Sequence, residues 1–260
     1  MGAGGVGFDT VTSSNGQLGT LLDNLTGAGS VVFDGAFQST NNAAGGFGLA
    51  VRGAAMVPVI FNGTVTVNQT IGGVGGLDID IGSVTFNNSL NIDTTSGAGV
   101  DIAGGTVSFL GGGLDIDTTS GLGFSASSAT LNVAGAGNTF TTTTGGALSL
   151  NSLTLGGSGA SFDSITTGTV AAGIALHFSN VDTGVFNGGV VTLAGVAGAD
   201  GIFIHNGSSA TFNFASATID NAGDDAIDIN GAGNGVVTFT TVDIDGVNGS
   251  GVEIIGNTRA

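Results

Sequence analysis

The chain has 260 residues, of which 52 are glycine and one, Pro58, is proline, and it contains no cysteine, tryptophan or tyrosine. That usage is far from an ordinary globular domain, excludes a disulfide framework, and lacks the proline content and three-residue glycine period of collagen. Lysine is absent, the only arginines are Arg52 and Arg259, and the net charge of −17 repels phosphate backbones and anionic lipid, so nucleic-acid binding is not expected; nor is membrane insertion, since no apolar run is long enough to span a bilayer.

Hydrophobic residues make up 41 % of the chain and recur in short strand-like bursts, enough apolar surface to offset the entropy of ordering a glycine-rich chain. Met1 to Gly5 carry neither the basic region nor the apolar core of a signal peptide, so the reading is of a segment internal to a larger protein. Leu18, Leu21, Leu22 and Leu25 follow at helical spacing behind Ser14, which predicts a short helix over 14–26 covering the first coil of a repeat array.

From residue 30 to 258 the chain repeats itself. Leu90-Asn91-Ile92-Asp93-Thr94-Thr95-Ser96-Gly97 returns as Leu114-Asp115-Ile116-Asp117-Thr118-Thr119-Ser120-Gly121, and Val84-Thr85-Phe86 returns as Val107-Ser108-Phe109. Further on, the segments beginning Asp200-Gly201-Ile202, Asp225-Ala226-Ile227 and Ser250-Gly251-Val252 are equally spaced, and Phe214 and Ile219 return as Phe239 and Ile244. Gly173-Ile174-Ala175-Leu176-His177 aligns with Gly201 onward if a few loop residues are allowed.

Each repeat holds two or three alternating apolar stretches separated by Gly, Asn, Asp and Ser, the pattern of short strands joined by turns. The predicted fold is therefore all-β: a right-handed parallel β-helix of about ten coils, forming one domain over residues 1–260. Coils stacked about 4.8 Å apart would make a rod on the order of 50 Å long. Ile174, Ile202, Ile227 and Val252 are expected in one inward column and Leu176, Ile204, Ile229 and Ile254 in the next.

The stretch Ser120 to Phe140 and the stretch Asn221-Ala-Gly-Asp-Asp-Ala-Ile-Asp-Ile-Asn230 resemble the right-handed β-helix repeats of large bacterial surface proteins, including autotransporter-type adhesins. The resemblance is one of repeat style. It implies an extracellular or cell-surface location and a non-catalytic adhesin or stalk, with a host or neighbouring-cell surface, a glycan or another copy of the chain as partner. A polysaccharide-active enzyme and a phage tail-fibre segment are the alternatives.

An enzyme would use Asp200, Asp224 and Asp225, since one Asp followed by an Asp pair a coil later is similar to the ladder of polygalacturonase-like enzymes. That family then places a His and a basic residue on the following coils, where this chain has Ser250 and, near its end, Arg259. The competing reading is that an Asp before Gly or Ala makes a turn by bonding its own backbone. Lyase chemistry would need a basic residue near calcium, and Arg52 falls in a segment without clear periodicity.

His177 and His205 take the same repeat position in this alignment, and strand alternation points both outward with Phe203, Asp228 and Glu253 nearby, so the two histidines and Asp228 are candidate metal ligands. Asp224 and Asp225 are candidates too. Outward aspartates recur as Asp78, Asp80, Asp93, Asp115 and Asp117, then Asp243 and Asp245. Like charges on neighbouring strands repel, and Ca²⁺ is the cofactor that would relieve them, although the nonapeptide repeat of calcium-rolls is absent.

Overall fold

The computed structural model describes residues 5–42, 46–53, 57–171, 173–231 and 233–256. Within them the protein is an all-β parallel β-helix of about ten turns. Its 27 strands join one continuous sheet, and every strand pairing is parallel. Each turn passes through three faces, so a strand pairs with the equivalent strand one turn before and one turn after it.

The first face carries Val6–Phe8, Val31–Phe33, Val59–Phe61 and their successors. There Phe8, Phe33, Phe61, Phe86 and Phe109 stack at centroid separations of 4.6 to 5.1 Å. The inter-strand spacing of a sheet is about 4.8 Å, so identical residues one period apart must meet ring on ring.

The second face includes Val65–Gln69, Leu90–Thr94 and Leu114–Thr118 in register. Its inner side carries Val67, Ile92, Ile116, Phe140, Ile165 and Val191, all buried. Beside them runs a buried polar column. Thr94, Thr118 and Thr142 each donate a hydroxyl to the carbonyl three residues on, at Gly97, Gly121 and Gly145, with distances of 2.8 to 2.9 Å. A buried hydroxyl is tolerated where it is so satisfied, and here it closes the turn that leaves the strand.

The third face carries the candidate site, and it is built from Thr20–Asp23, Phe47–Arg52, Gly75–Ile79 and their successors, ending in Ile202–His205, Ile227–Asn230 and Val252–Ile255. Alternation sends Leu176, Ile202 and Ile227 inward and His177, Phe203 and Asp228 outward. The corner after this face is left-handed in six successive turns: Ser128, Ser152, Asn180, Asn206, Gly231 and Gly256 all have φ between 51° and 63°.

Four expectations need correction. The helix over 14–26 is not formed; Val11–Ser14 and Thr20–Asp23 are strands, the second pairing with Phe47–Arg52, because the sheet edge offers more hydrogen bonds than one isolated helical turn. The match of Gly173 to Gly201 is two residues out of register: Leu176, not Ile174, pairs with Ile202, and Phe178, not Leu176, pairs with Ile204. Ile174 is half-buried and precedes the strand. Val252 and Ile254 sit in the expected columns but are 51 % and 64 % exposed, since no later coil among the described residues covers them. Arg52 ends a regular strand, where it pairs with Asp78, lies 3.8 Å from Asp80 and approaches the ring of Phe47.

Candidate functional site

On the third face, Ser149, His177, Phe203, Asp228 and Glu253 form one outward column across five consecutive turns. The neighbouring outward column runs Ser179, His205, Asn230. His177 and His205 therefore stand on adjacent turns but in different columns, a diagonal placement that follows from the two-residue register correction.

The two rings still touch. Nε2 of His177 lies 2.7 Å from Nε2 of His205, a hydrogen bond in which one nitrogen donates and the other accepts. Two nitrogens on one zinc would each stand about 2.0 to 2.1 Å from the ion, so this direct contact joins the rings to one another and leaves no gap between them. His205 also stacks flat on Phe203 at 4.0 Å, and Nδ1 of His177 is 3.4 Å from the Ser149 hydroxyl. Burial holds both imidazoles below the ordinary 6.5, with the charge of His205 adding to the effect on His177.

One turn further along the rod, five carboxylates converge. Asp200, Asp224 and Asp225 each place an oxygen within 4.8 Å of the others, and Asp225, Asp228 and Glu253 do the same, with Asp225 shared. The parallel register produces this: Glu253 pairs directly with Asp228, and the turns preceding the strands bring Asp200 beside Asp225.

Two of these aspartates fasten turn to turn. Asp200 Oδ1 accepts the Asp225 amide at 3.2 Å, and Asp225 Oδ1 accepts the Ser250 amide. An Asp before Gly or Ala is expected to bond its own loop, whereas the amides that Asp200 and Asp225 accept belong to the next coil, 25 residues on. Gly249 leaves room for the pair, since a Cβ there would lie 2.5 Å from Asp225 Oδ1 and 2.7 Å from Asp224 Oδ1.

Asp228 is different in kind. It is 7 % exposed, and its Oδ1 is buried with no hydrogen-bond partner. Burial first, then the charges of Asp200, Glu253, Asp225 and Asp224, push its carboxyl from 3.8 up to about 6. Asp200 is raised too, by burial and by Asp224 and Asp225, against the opposing bond from the Asp225 amide. Among the described residues no compensating arginine is near: Arg52 is tied to Asp78 and stands seven turns away, about 34 Å along the rod.

Comparison with family models, with curated proteins and with solved structures gives no match. The site thus rests on its own geometry.

The other acidic residues distribute less tightly. Asp78 is buried against Arg52, with burial nonetheless raising its carboxyl. Asp93 and Asp117 face each other on adjacent strands of the second face, along a shallow groove rimmed by Thr94, Thr95, Thr118 and Thr119. Asp115 accepts the Thr139 hydroxyl. Asp243 and Asp245 pair with Thr218 and Asp220 near the end of the rod. Arg259 lies outside the described residues.

Sequence reasoning singled out Asp200, Asp224, Asp225 and Asp228, and the structure brings all four together. That reasoning placed Glu253 near the histidine pair without counting it as a ligand, and it missed Gly249. The spacing of Asp228 to Glu253 repeats that of Ile227 to Val252, which is why the repeat already set Glu253 beside Asp228. Gly249 gave no signal among 52 glycines.

Proposed function

We propose that this chain acts as a non-catalytic rod at a bacterial surface or outside the cell, an adhesin-type spacer. Its outward ladders would meet a neighbouring surface, a glycan or a second copy of the chain. The observation that carries this reading is the repeated coil: parallel pairing runs through about ten turns, interrupted by local register shifts at Leu131–Val133 and Asn187–Val190, and the paired strands lie 23 to 29 residues apart. Such a repeat leaves little chain for the long loops that wall a catalytic cleft, and it resists bending because every turn is bonded to two neighbours.

The polysaccharide-enzyme reading draws on the convergence of Asp200, Asp224 and Asp225. Against it, one oxygen of Asp200 and one of Asp225 already bind backbone amides, and among the described residues the five acids of the cluster have no lysine or arginine paired with them. General acid-base work needs two carboxyls with separate duties on a bound substrate, whereas two of these three each hold a backbone amide of the next coil.

The two readings divide on one measurement. Purified protein is incubated with uronate polymers and neutral glycans, with and without calcium, and reducing ends are counted. The rod reading expects no release above background; release that disappears in Asp225→Asn overturns it. Small-angle scattering of the same sample should give the profile of a stiff rod on the order of 50 Å long.

A further inference from the structure

We propose that Asp225, Asp228 and Glu253 form a divalent-cation site that takes Ca²⁺, reinforced by Asp200 and Asp224, which cluster with Asp225. The inference is independent of the spacer reading, because it concerns what the terminal turns bind and holds whether the rod is an adhesin or something else.

Acidic clusters are common on protein surfaces, and this one would carry no weight alone. Two further features distinguish it. Asp228 is more than nine-tenths buried, and its Oδ1 has no donor, yet a carboxylate oxygen of Asp228 lies within 4.8 Å of oxygens from both Asp225 and Glu253. A buried carboxylate oxygen ordinarily has a hydrogen bond or a counter-ion. Here the charged groups around it are other acids, and among the described residues no basic side chain pairs with it, so at neutral pH a bound cation is the partner that would satisfy it.

The second feature is the way the ligands are held. Asp225 is fixed by the Ser250 amide through one oxygen, which leaves the other available to an ion. Asp228 and Glu253 are locked at equivalent positions of two paired strands. An ion here would bridge two consecutive turns, and Asp200 would extend the acidic set to a third.

The chemistry selects the ion. All the candidate ligands are carboxylate oxygens; cysteine is absent, and the two histidines are occupied with each other. Hard oxygen ligands suit Ca²⁺ and Mg²⁺ above zinc or copper. Between those two, an irregular set drawn from strand and corner favours Ca²⁺, which accepts six to eight oxygens in flexible geometry and fills vacancies with water. Mg²⁺ demands a near-ideal octahedron.

The test is isothermal titration of chelator-stripped protein with CaCl₂ at low salt, paired with thermal melts with and without the ion. Wild-type protein should bind Ca²⁺ more tightly than Mg²⁺ and melt higher in its presence. Asp228→Asn, close in shape and lacking only the charge, should weaken Ca²⁺ binding by roughly tenfold or more. Glu253→Gln, on the last strand where misfolding of the rod is least at issue, should weaken it similarly.

Asp93→Asn removes an acid from the other crowded ladder and should leave the affinity as in wild type. Absence of binding heat and of any melting shift in wild-type protein would overturn the proposal. So would an equal loss in Asp93→Asn and Asp228→Asn, since that marks a diffuse counter-ion atmosphere.

Discussion

At Asp228 the fold does something a soluble protein ordinarily avoids: it buries a carboxylate among four others and gives one of its oxygens no donor. The consequence is a dependence of stability on pH. The folded-state value of about 6 stands above the ordinary 3.8, so between those values the folded chain holds a proton that the unfolded chain has released. Stability from this group is therefore complete below about 4 and is lost as pH rises through about 6. The difference amounts to on the order of 3 kcal/mol.

His177 and His205 act in the opposite sense, because their values are lowered and protonation on acidification works against folding. The whole-protein profile thus mixes the two, and a variant is needed to separate them. With chelator present, Asp228→Asn should melt close to wild type near pH 4 and above it near pH 7. A melting difference that stays flat across that range would show that Asp228 is not the strained group.

At the level of the strand and its corner, the run of left-handed residues after the third face sets a local cost. Asparagine and glycine tolerate φ near +55°, whereas Ser128 and Ser152 adopt it with a Cβ in place. Ser128 is exposed. Relief of the strain by glycine exceeds the added chain entropy by about 0.5 to 1 kcal/mol, so Ser128→Gly should raise the denaturation midpoint without altering the slope. A lower midpoint would mean that the serine side chain contributes more than its backbone strain costs.

The same scale shows what was legible in the sequence. Offsets of 23, 24 and 25 were read from Val84-Thr85-Phe86, Leu90 to Gly97 and Asp200 to Gly256, and each matches the observed pairing. The His177 alignment failed because a strand alternates with period two. A slip of two residues keeps every side chain on its expected face, and Ile174, Leu176 and Phe178 are all apolar, so the hydrophobic pattern gives no warning. The segment 14–26 failed for another reason. Its leucines fit a helix in isolation, but Thr20 and Leu22 face inward against Leu49 and Val51, and tertiary pairing outweighs local propensity. Asp225 and Asp228 were recognisable as candidates from the repeat alone; their burial and the orphaned oxygen depended on packing no linear pattern reveals.

Across the whole molecule, stability should behave as a chain of nearest-neighbour contacts, since each turn touches only the one before and the one after. Turns in the middle, such as those holding Phe86, Ile92 and Ile116, are covered on both sides and fully buried. At the two ends Val6 and Phe8 are 41 % and 40 % exposed, and Val252 and Ile255 are 51 % and 47 % exposed. Opening should therefore begin at the ends, and amide exchange should be fastest in Val6–Phe8 and Val252–Ile255 and slowest near Leu90–Val133. An ion held by Asp225, Asp228 and Glu253 would tie the strand Val252–Ile255 to Ile227–Asn230, while the opposite end has no share in it. Added Ca²⁺ should consequently slow exchange in Val252–Ile255 and in Ile227–Asn230 and leave Val6–Phe8 unchanged. Equal slowing at both ends would instead trace the effect to general screening of the net charge of −17.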